Sequence, residues 1–497
     1  MRPRILLAAV SAFVRRRSWT RTRATLLCIA LGFGAMACQP DQPNFAYVAS
    51  VAVTPDSAVT YLGARVQVTA TPLAPGGIPL DDRVVTWISS DRRIATVSRT
   101  GEVTTLGIGT VSITALCETE TGVAEIRILP RPIADWSHVT DEWTTHQGNP
   151  SHTGRVPATV DPLVFSERWD VDVMHGRGLN AVTEGEGHLF ATSTAYYASE
   201  ELTALDAATG AGQWSFDLGQ QQAVGPPAYG DHAVYVGSSG TTSSLWAFEA
   251  NSGVQRFQAH GTDWGVAYAP VPDGAAIYTS AAYDGSLFSF NAPDGAMRWT
   301  NQFAYDNSAV PAVREGRAYV YSTSNEAKVT VSDAVTGALL YEIPDPGFLL
   351  GGWAGRSVPV LGEGDNLVVA QSNRLASFDL TTHAMAWEVT GVAFRDDPSV
   401  ANGVVYAHTP SSVEARRESD GTLLWSWTAP PAEELDGPMV VTNNVLFVSG
   451  SATTFGIDLL ARAVVWRYPA FGRLALTRDG LLLIARANGR LTAIELK

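Results

Sequence analysis

The stretch Glu201-Leu-Thr-Ala-Leu-Asp206-Ala-Ala-Thr-Gly210-Ala-Gly-Gln-Trp214 decides the fold, because the chain goes on to repeat it. Aligned on its acidic or polar turn residue and the aromatic eight positions later, the phrase runs Asp206 to Trp214, Glu249 to Phe257, Asn291 to Trp299, Asp333 to Tyr341, Asp379 to Trp387, Arg417 to Trp425 and Asp458 to Trp466. An eighth copy, Asp161 to Trp169, keeps only the end of the phrase. Successive aromatics are 45, 43, 42, 42, 46, 38 and 41 residues apart. Self-similarity at that period, with room for four short strands per unit, is the signature of propeller blades.

The third unit shows the pieces: Val266–Pro270, Ala276–Ser280, Ser286–Phe290 and Ala296–Trp299 are each strand-sized. The turn before the last piece carries Gly where a tight hairpin needs positive φ, as at Gly210, Gly295 and Gly421. The acidic or Asn residue that opens the turn can accept hydrogen bonds from its backbone. The recurring Trp, Tyr or Phe is expected to wedge between neighbouring sheets, a packing role and not a ligand-stacking one. The ends of the repeat predict closure. Arg490-Leu-Thr-Ala-Ile-Glu495 matches Glu201 to Asp206, the third strand of a blade, yet no aromatic strand follows it. Val164–Val171, which contains Trp169, is the missing fourth strand. The expectation is an all-β chain ending in an eight-bladed propeller whose closing blade is shared by both ends of the domain, leaving no exposed sheet edge at the seam.

Upstream of the ring the composition changes. Residues 1–37 hold seven Arg and no acid, and lead into an apolar stretch from Thr25 to Ala37 that is too short for a permanent span. It ends Ala35-Met36-Ala37-Cys38, which resembles the bacterial lipobox, so 1–37 is read as a lipoprotein signal peptide and Cys38 as the lipidation site. Gln39 stands where lipoproteins retained in the inner membrane resemble one another in having Asp, so an outer-membrane address is expected. Residues 38–47 form a polar tether. Without the leader, 27 basic residues face 49 acidic ones, a net charge of about −22, and only Lys328 and Lys497 are lysines. So acidic a surface excludes nucleic acid as a partner and leaves the lipid as the sole membrane contact. Cys117 is the one cysteine left, so no disulfide forms within the mature chain.

Residues 48–129 alternate as half-buried strands (Val48–Val53, Val66–Ala70, Val84–Trp87, Ile94–Val97, Val111–Ala115, Ala124–Ile128) separated by turn signals, a β-sandwich pattern. Trp87-Ile-Ser-Ser-Asp91, Ala95-Thr-Val97, Gly101-Glu-Val103 and Gly109–Ala115 resemble a bacterial Ig-like group 2 domain, a family whose members commonly act as spacers on surface proteins. Residues 130–160 connect this module to the ring domain, 161–497. A Trp-Asp pair occurs only at Trp169-Asp170, which sets the ring apart from WD40 repeats, and no paired glycines recur as in kelch. The phrase Ala204–Trp214 and the lead-in Trp143-Thr-Thr-His146-Gln-Gly-Asn149-Pro-Ser-His152-Thr-Gly154 resemble the PQQ-like repeat family. That family includes the lipoprotein propeller of the outer-membrane β-barrel assembly machinery, and also quinoprotein dehydrogenases.

The resemblance implies two different functions. Dehydrogenase members carry a vicinal Cys-Cys and a Glu, Asn and Asp set for calcium; this chain has no Cys-Cys and no matching segment, so neither cofactor nor enzyme activity is expected. His-Glu-x-x-His, P-loop and Gly-x-Ser-x-Gly motifs are also missing. His146 and His152, six apart, read as loop histidines, and Asp396-Asp397 and Glu433-Glu434 as solvated acid pairs. The expected function is non-catalytic: a monomeric ring, held off the membrane by the Ig-like spacer, that binds another envelope protein or a surface polymer, as in outer-membrane protein assembly. The alternatives are recognition of a ligand or glycan at one ring face or, least favoured, a PQQ-dependent quinoprotein dehydrogenase. Candidate binding-face aromatics are Tyr196, Tyr197, Trp264, Tyr268, Phe348 and Trp353, in segments joining successive blades.

Overall fold

The computed structural model describes residues 47–497 apart from 241–242, 261–267, 281–285, 303–309, 324–326, 349–357 and 372. The described elements are strands, with one 3-10 turn at His146–Gly148. In the N-terminal module, Ser57–Tyr61, Glu120–Leu129, Gly109–Cys117 and Thr86–Ser89 form one sheet in that order. Arg65–Gln67, Glu102–Thr105 and Ala95–Val97 form a second, and Ser50–Thr54 pairs with Thr69–Leu73. Alternation does the work: along Glu120–Leu129, Ala124, Ile126 and Ile128 point inward while Glu125 and Arg127 face out. The inward residues meet Val51, Val68, Val103 and Ile113 in one apolar core, which also takes in Cys117. Burial pushes the Cys117 thiol above its ordinary pKa, so the side chain is an inert part of the packing. Gly101 is required: its φ is +84° and a Cβ would sit 2.1 Å from the Val68 carbonyl.

From Ser166 onward the described strands pair into eight antiparallel sheets, most of four strands. The first complete sheet is Thr183–Gly185, His188–Ala191, Ala198–Asp206 and Gly212–Gln221. The phrase falls on the last hairpin of each sheet. Its acidic residue ends the third strand, its Gly makes the turn, and its aromatic sits on the fourth strand opposite a small residue: Trp214 faces Ala204, Phe257 Ala247, Trp299 Ser289 and Trp466 Gly456. One residue further along, every one of these pairings shifts register by a bulge, which re-aims the aromatic. Asp206 accepts hydrogen bonds from the Thr209 hydroxyl and amide, which hold its carboxyl below the usual carboxylate range.

The aromatics hold sheet to sheet. Trp169 lies against Gly210 of the next phrase, Trp214 against Gly253, Phe257 against Gly295, Trp299 against Gly337 and Trp387 against Gly421, so close that a Cβ on each Gly would come within 2.3–2.8 Å of the ring. The indoles of Trp169, Trp214, Trp299 and Trp387 also donate to the carbonyls of Ala207, Ala250, Ala334 and Glu418, at 2.7–3.1 Å. Gly is therefore present at this turn for two reasons, its φ near +70° and the ring of the preceding sheet. In the fifth phrase His383 replaces it and stacks on Tyr341, centroids 3.7 Å apart. Ser166–Asp172 pairs antiparallel with Arg490–Glu495, placing Trp169 opposite Ala493.

Candidate functional site

The segment that enters the ring domain is its hub. Trp143 and Thr144 accept, through their carbonyls, the amides of Glu184 and Tyr229 from the first and second complete sheets, at 2.8 and 2.7 Å. The Thr145 hydroxyl donates to Pro270 at the third, 2.6 Å. The carbonyls of Pro150, Ser151, Thr153 and Gly154 then accept the amides of Val313, Leu361, Val400 and Val441 in the fourth to seventh, at 2.7–2.9 Å. Twelve residues of chain thus visit the leading strands of seven sheets in order. Tight arcs make this path possible. Gln147 and His152 hold φ of 48° and 59°, Gly148 and Gly154 of 89° and 65°, and a Cβ on Gly148 would strike the Trp143 ring at 2.6 Å.

His146 and His152 are brought edge to face, centroids 5.3 Å apart. His146 Nε2 lies 2.9 Å from Asp397 Oδ2. His152 is fully buried, and its Nδ1, 3.0 Å from the Pro359 carbonyl, must carry the proton because a carbonyl only accepts. Burial, reinforced by the adjacent His146 ring, holds the His152 pKa down to about 3, so the imidazole is neutral. Both histidines lie outside the strands as expected, His146 half-buried and His152 buried; of the acid pair expected to be solvated, Asp396 is exposed and Asp397 is half-buried against His146. Asp397 also accepts from the Val358 amide at 3.2 Å, and Asp396 from the Gly437 amide at 2.9 Å with His408 at 3.4 Å. Glu184 beside the hub is 2% exposed; burial pushes its pKa up to about 7 despite the Arg478 amide at 2.7 Å. No local sequence signal could have found these pairings, since His146 and Asp397 are 251 residues apart.

The repeat family raises the question of a quinone held with calcium on the ring axis. The residues do not fit it. The leading strands donate their amides to the chain's own lead-in, the chain has no Cys-Cys, and among the described residues no three His, Cys, Asp or Glu side chains converge as a metal site. The hub is a packed polar joint with a neutral imidazole at its centre.

The four candidate aromatics among the described residues do not form one surface. Tyr196 and Tyr197 are exposed (62% and 64%), edge to face at 4.6 Å, and braced by Gln222, which accepts the Tyr197 amide at 2.8 Å and donates to the Tyr196 hydroxyl at 2.5 Å. Tyr268 is buried at 7% and belongs to the apolar cluster with Val271, Tyr278 and Val310, so its ring is core and not rim. Phe348 is half-buried against the cluster that contains Tyr321 and Phe378. Trp264, Trp353 and Cys38 lie outside the described residues.

Together, an Ig-like sandwich and a set of aromatic-stapled antiparallel sheets define a repeat protein built around PQQ-like units. The family described as outer membrane protein assembly factor BamB matches residues 152–263, 256–390 and 329–473, and the bacterial Ig-like domain (group 2) matches 47–127. The chain belongs to this BamB-like family of PQQ-like repeats and carries an Ig-like group 2 domain in front of them. Among solved structures, BamB from Moraxella catarrhalis superposes with a TM-score of 0.53 at 16% identity, covering 67% of this chain and 100% of that one. The computationally designed Ika8 protein superposes with a TM-score of 0.53 at 12% identity, over 66% and 98%. A europium-containing methanol dehydrogenase reaches a TM-score of 0.43 at 12% identity, over 72% and 98%. No curated protein sequence matches the chain.

Proposed function

We propose that this protein is a non-catalytic envelope lipoprotein whose propeller is a protein-binding scaffold in outer-membrane protein assembly. In this reading residues 1–37 are removed, Cys38 is lipidated, 38–47 tether the body, 48–129 act as a spacer and 130–160 lead into the ring at 161–497. The eight sheets are the blades of one monomeric ring, closed by the sheet that Ser166–Asp172 makes with the C-terminal strands. The observation that carries the reading is the hub: amides that could line an axial reaction site are bound to the lead-in, so recognition falls to the rim and the outer surfaces. The family match, with its description as an assembly factor, supplies the partner class, another envelope protein.

A second reading, ligand or glycan recognition at one face, is favoured by Tyr196 and Tyr197, whose exposed rings are braced in place. The test is in-cell photocrosslinking from positions 194 and 199 of the lipidated chain, which flank the tyrosines, alongside a Tyr196→Ser/Tyr197→Ser variant carrying the same crosslinker. Crosslinks to assembly proteins that the variant loses support the scaffold reading. Retention of a glycan or small molecule without a protein partner overturns it.

A further inference from the structure

The seventh phrase departs from the rule of the others at the place where it meets the Ig-like module. Its turn position, Gly in five phrases, is Arg462, held at φ 58° where a side chain is strained. Its acidic residue, Asp458, accepts the hydroxyl of Tyr61 from the Ig-like module in a buried bond of 2.6 Å. Beside that bond the two modules enclose a cleft of about 610 Å³ that neither has alone. One wall is the outward face of the Ig-like sheet, with Glu125 and Arg127; the other is Arg462–Arg467 with Trp427 and Trp466. Among the described residues Ala463–Tyr468 is the last strand of its sheet and is paired on one edge only, and Ser57–Tyr61, which approaches it across the cleft without pairing, likewise ends the Ig-like sheet. Arg127, Arg462 and Arg467 are exposed, and among the described residues none forms an ion pair. Three uncompensated arginines against one glutamate stand out in a chain with 49 acidic residues and 34 basic ones.

The geometry points to a binding site for an extended acidic peptide segment, which adds as a strand to the free edge of Ala463–Tyr468 and sets its carboxylates against Arg127, Arg462 and Arg467. The free edge supplies backbone hydrogen bonds, the arginines select charge, and the indoles of Trp427 and Trp466 supply apolar wall for the alternate side chains. The strand is six residues long, enough for a peptide of similar length. This site is separate from the rim around Tyr196 and Tyr197 and stands whether or not that rim binds protein.

The probe is a fluorescein-labelled peptide of alternating Glu and Val, titrated by anisotropy against the full chain in detergent. Its comparisons are an alternating Lys and Val peptide, a Glu-Val peptide N-methylated at every second residue, and dextran sulfate as competitor. Binding of the Glu-Val peptide alone, weakened roughly tenfold by Arg467→Glu or Arg127→Glu, is the expected result. Arg462→Gly restores the residue of the other phrases and separates the roles: it raises the melting temperature while weakening the peptide, whereas a merely structural arginine would leave binding untouched. Tyr196→Ser/Tyr197→Ser leaves the affinity unchanged, which keeps this result distinct from the rim experiment. Equal binding of the Lys-Val or N-methylated peptide, indifference to the arginine variants, or arginine-dependent binding of dextran sulfate in place of peptide would each overturn the proposal.

Discussion

The Tyr61 hydroxyl donates to Asp458 Oδ2 across the junction of the Ig-like module and the propeller sheets, at 2.6 Å and out of contact with solvent. Burial, and then the carboxylate itself, raise the Tyr61 pKa, so the phenol stays protonated and remains the donor at any ordinary pH. Asp458 keeps its other oxygen for its own turn, accepting the Ala461 amide at 2.6 Å. Tyr61→Phe therefore removes one bond and leaves a buried carboxylate under-satisfied, at a cost of about 2 kcal/mol. Calorimetry is expected to show the Ig-like transition moving down and away from that of the ring; an unchanged single transition would mean that the junction contributes nothing.

Gly337 is the counterpart inside the ring. Its φ is +75° and a Cβ would lie 2.7 Å from the Trp299 indole, whereas Gly316 has a similar φ of +72° with open space around it. Gly316→Ala reports the backbone cost alone, about 1 kcal/mol. Gly337→Ala adds displacement of the indole and of its bond to Ala334, and is expected to cost about 3 kcal/mol in chemical denaturation. Equal losses in the two variants would show that the aromatic is not packed on the turn.

Much of this was legible in the sequence because the contacts are locked to the period. A residue that stacks on the next unit's turn must recur with the turn, so Trp214, Trp299 and Trp387 announce the sheets and their stapling together. Trp169 and Arg490–Glu495 could be matched across the chain for the same reason. What escaped were contacts with no period. Ser57–Tyr61, adjoining a Pro-Asp turn, lies outside the strands that alternation predicts, yet it carries Tyr61 to the junction. The inward partners of the loop histidines His146 and His152 are Asp397 and Pro359, more than 200 residues away, so nothing local announces them. Tyr268 looked like rim because aromaticity between blades does not say which way a ring points; its neighbours Val271 and Tyr278 take it inward.

Two buried titrating groups flank the hub and act in opposite directions. His152, with its pKa held near 3 against an ordinary 6.5, stays neutral when folded and gains a proton on unfolding, so stability falls as pH drops below about 6.5. The full effect, reached once the pH is below both values, is about 5 kcal/mol. His152→Asn, which keeps an N–H for the Pro359 carbonyl, should flatten the acid limb of the melting temperature profile. An unaltered acid limb would place the ring in contact with water.

Glu184 has its pKa raised from 4.5 to about 7, so the folded chain holds the proton that the unfolded chain releases, and stability falls as pH rises through that interval. Above it the penalty is about 3 kcal/mol. Glu184→Gln is expected to raise the melting temperature at pH 8 and to leave it nearly unchanged at pH 4. A loss of stability at pH 8 would show that the carboxylate is charged and compensated.

The chain's own lead-in is hydrogen-bonded to the leading strands of its sheets, and the proposal that recognition falls to the outer surfaces rests on that joint. Residue-resolved hydrogen exchange tests it directly at the amides of Glu184, Tyr229, Val313, Leu361, Val400 and Val441, which donate to carbonyls between Trp143 and Gly154. All six are expected to exchange together and only through global opening of the ring. Fast exchange at these positions, with the outer strands still protected, would contradict it.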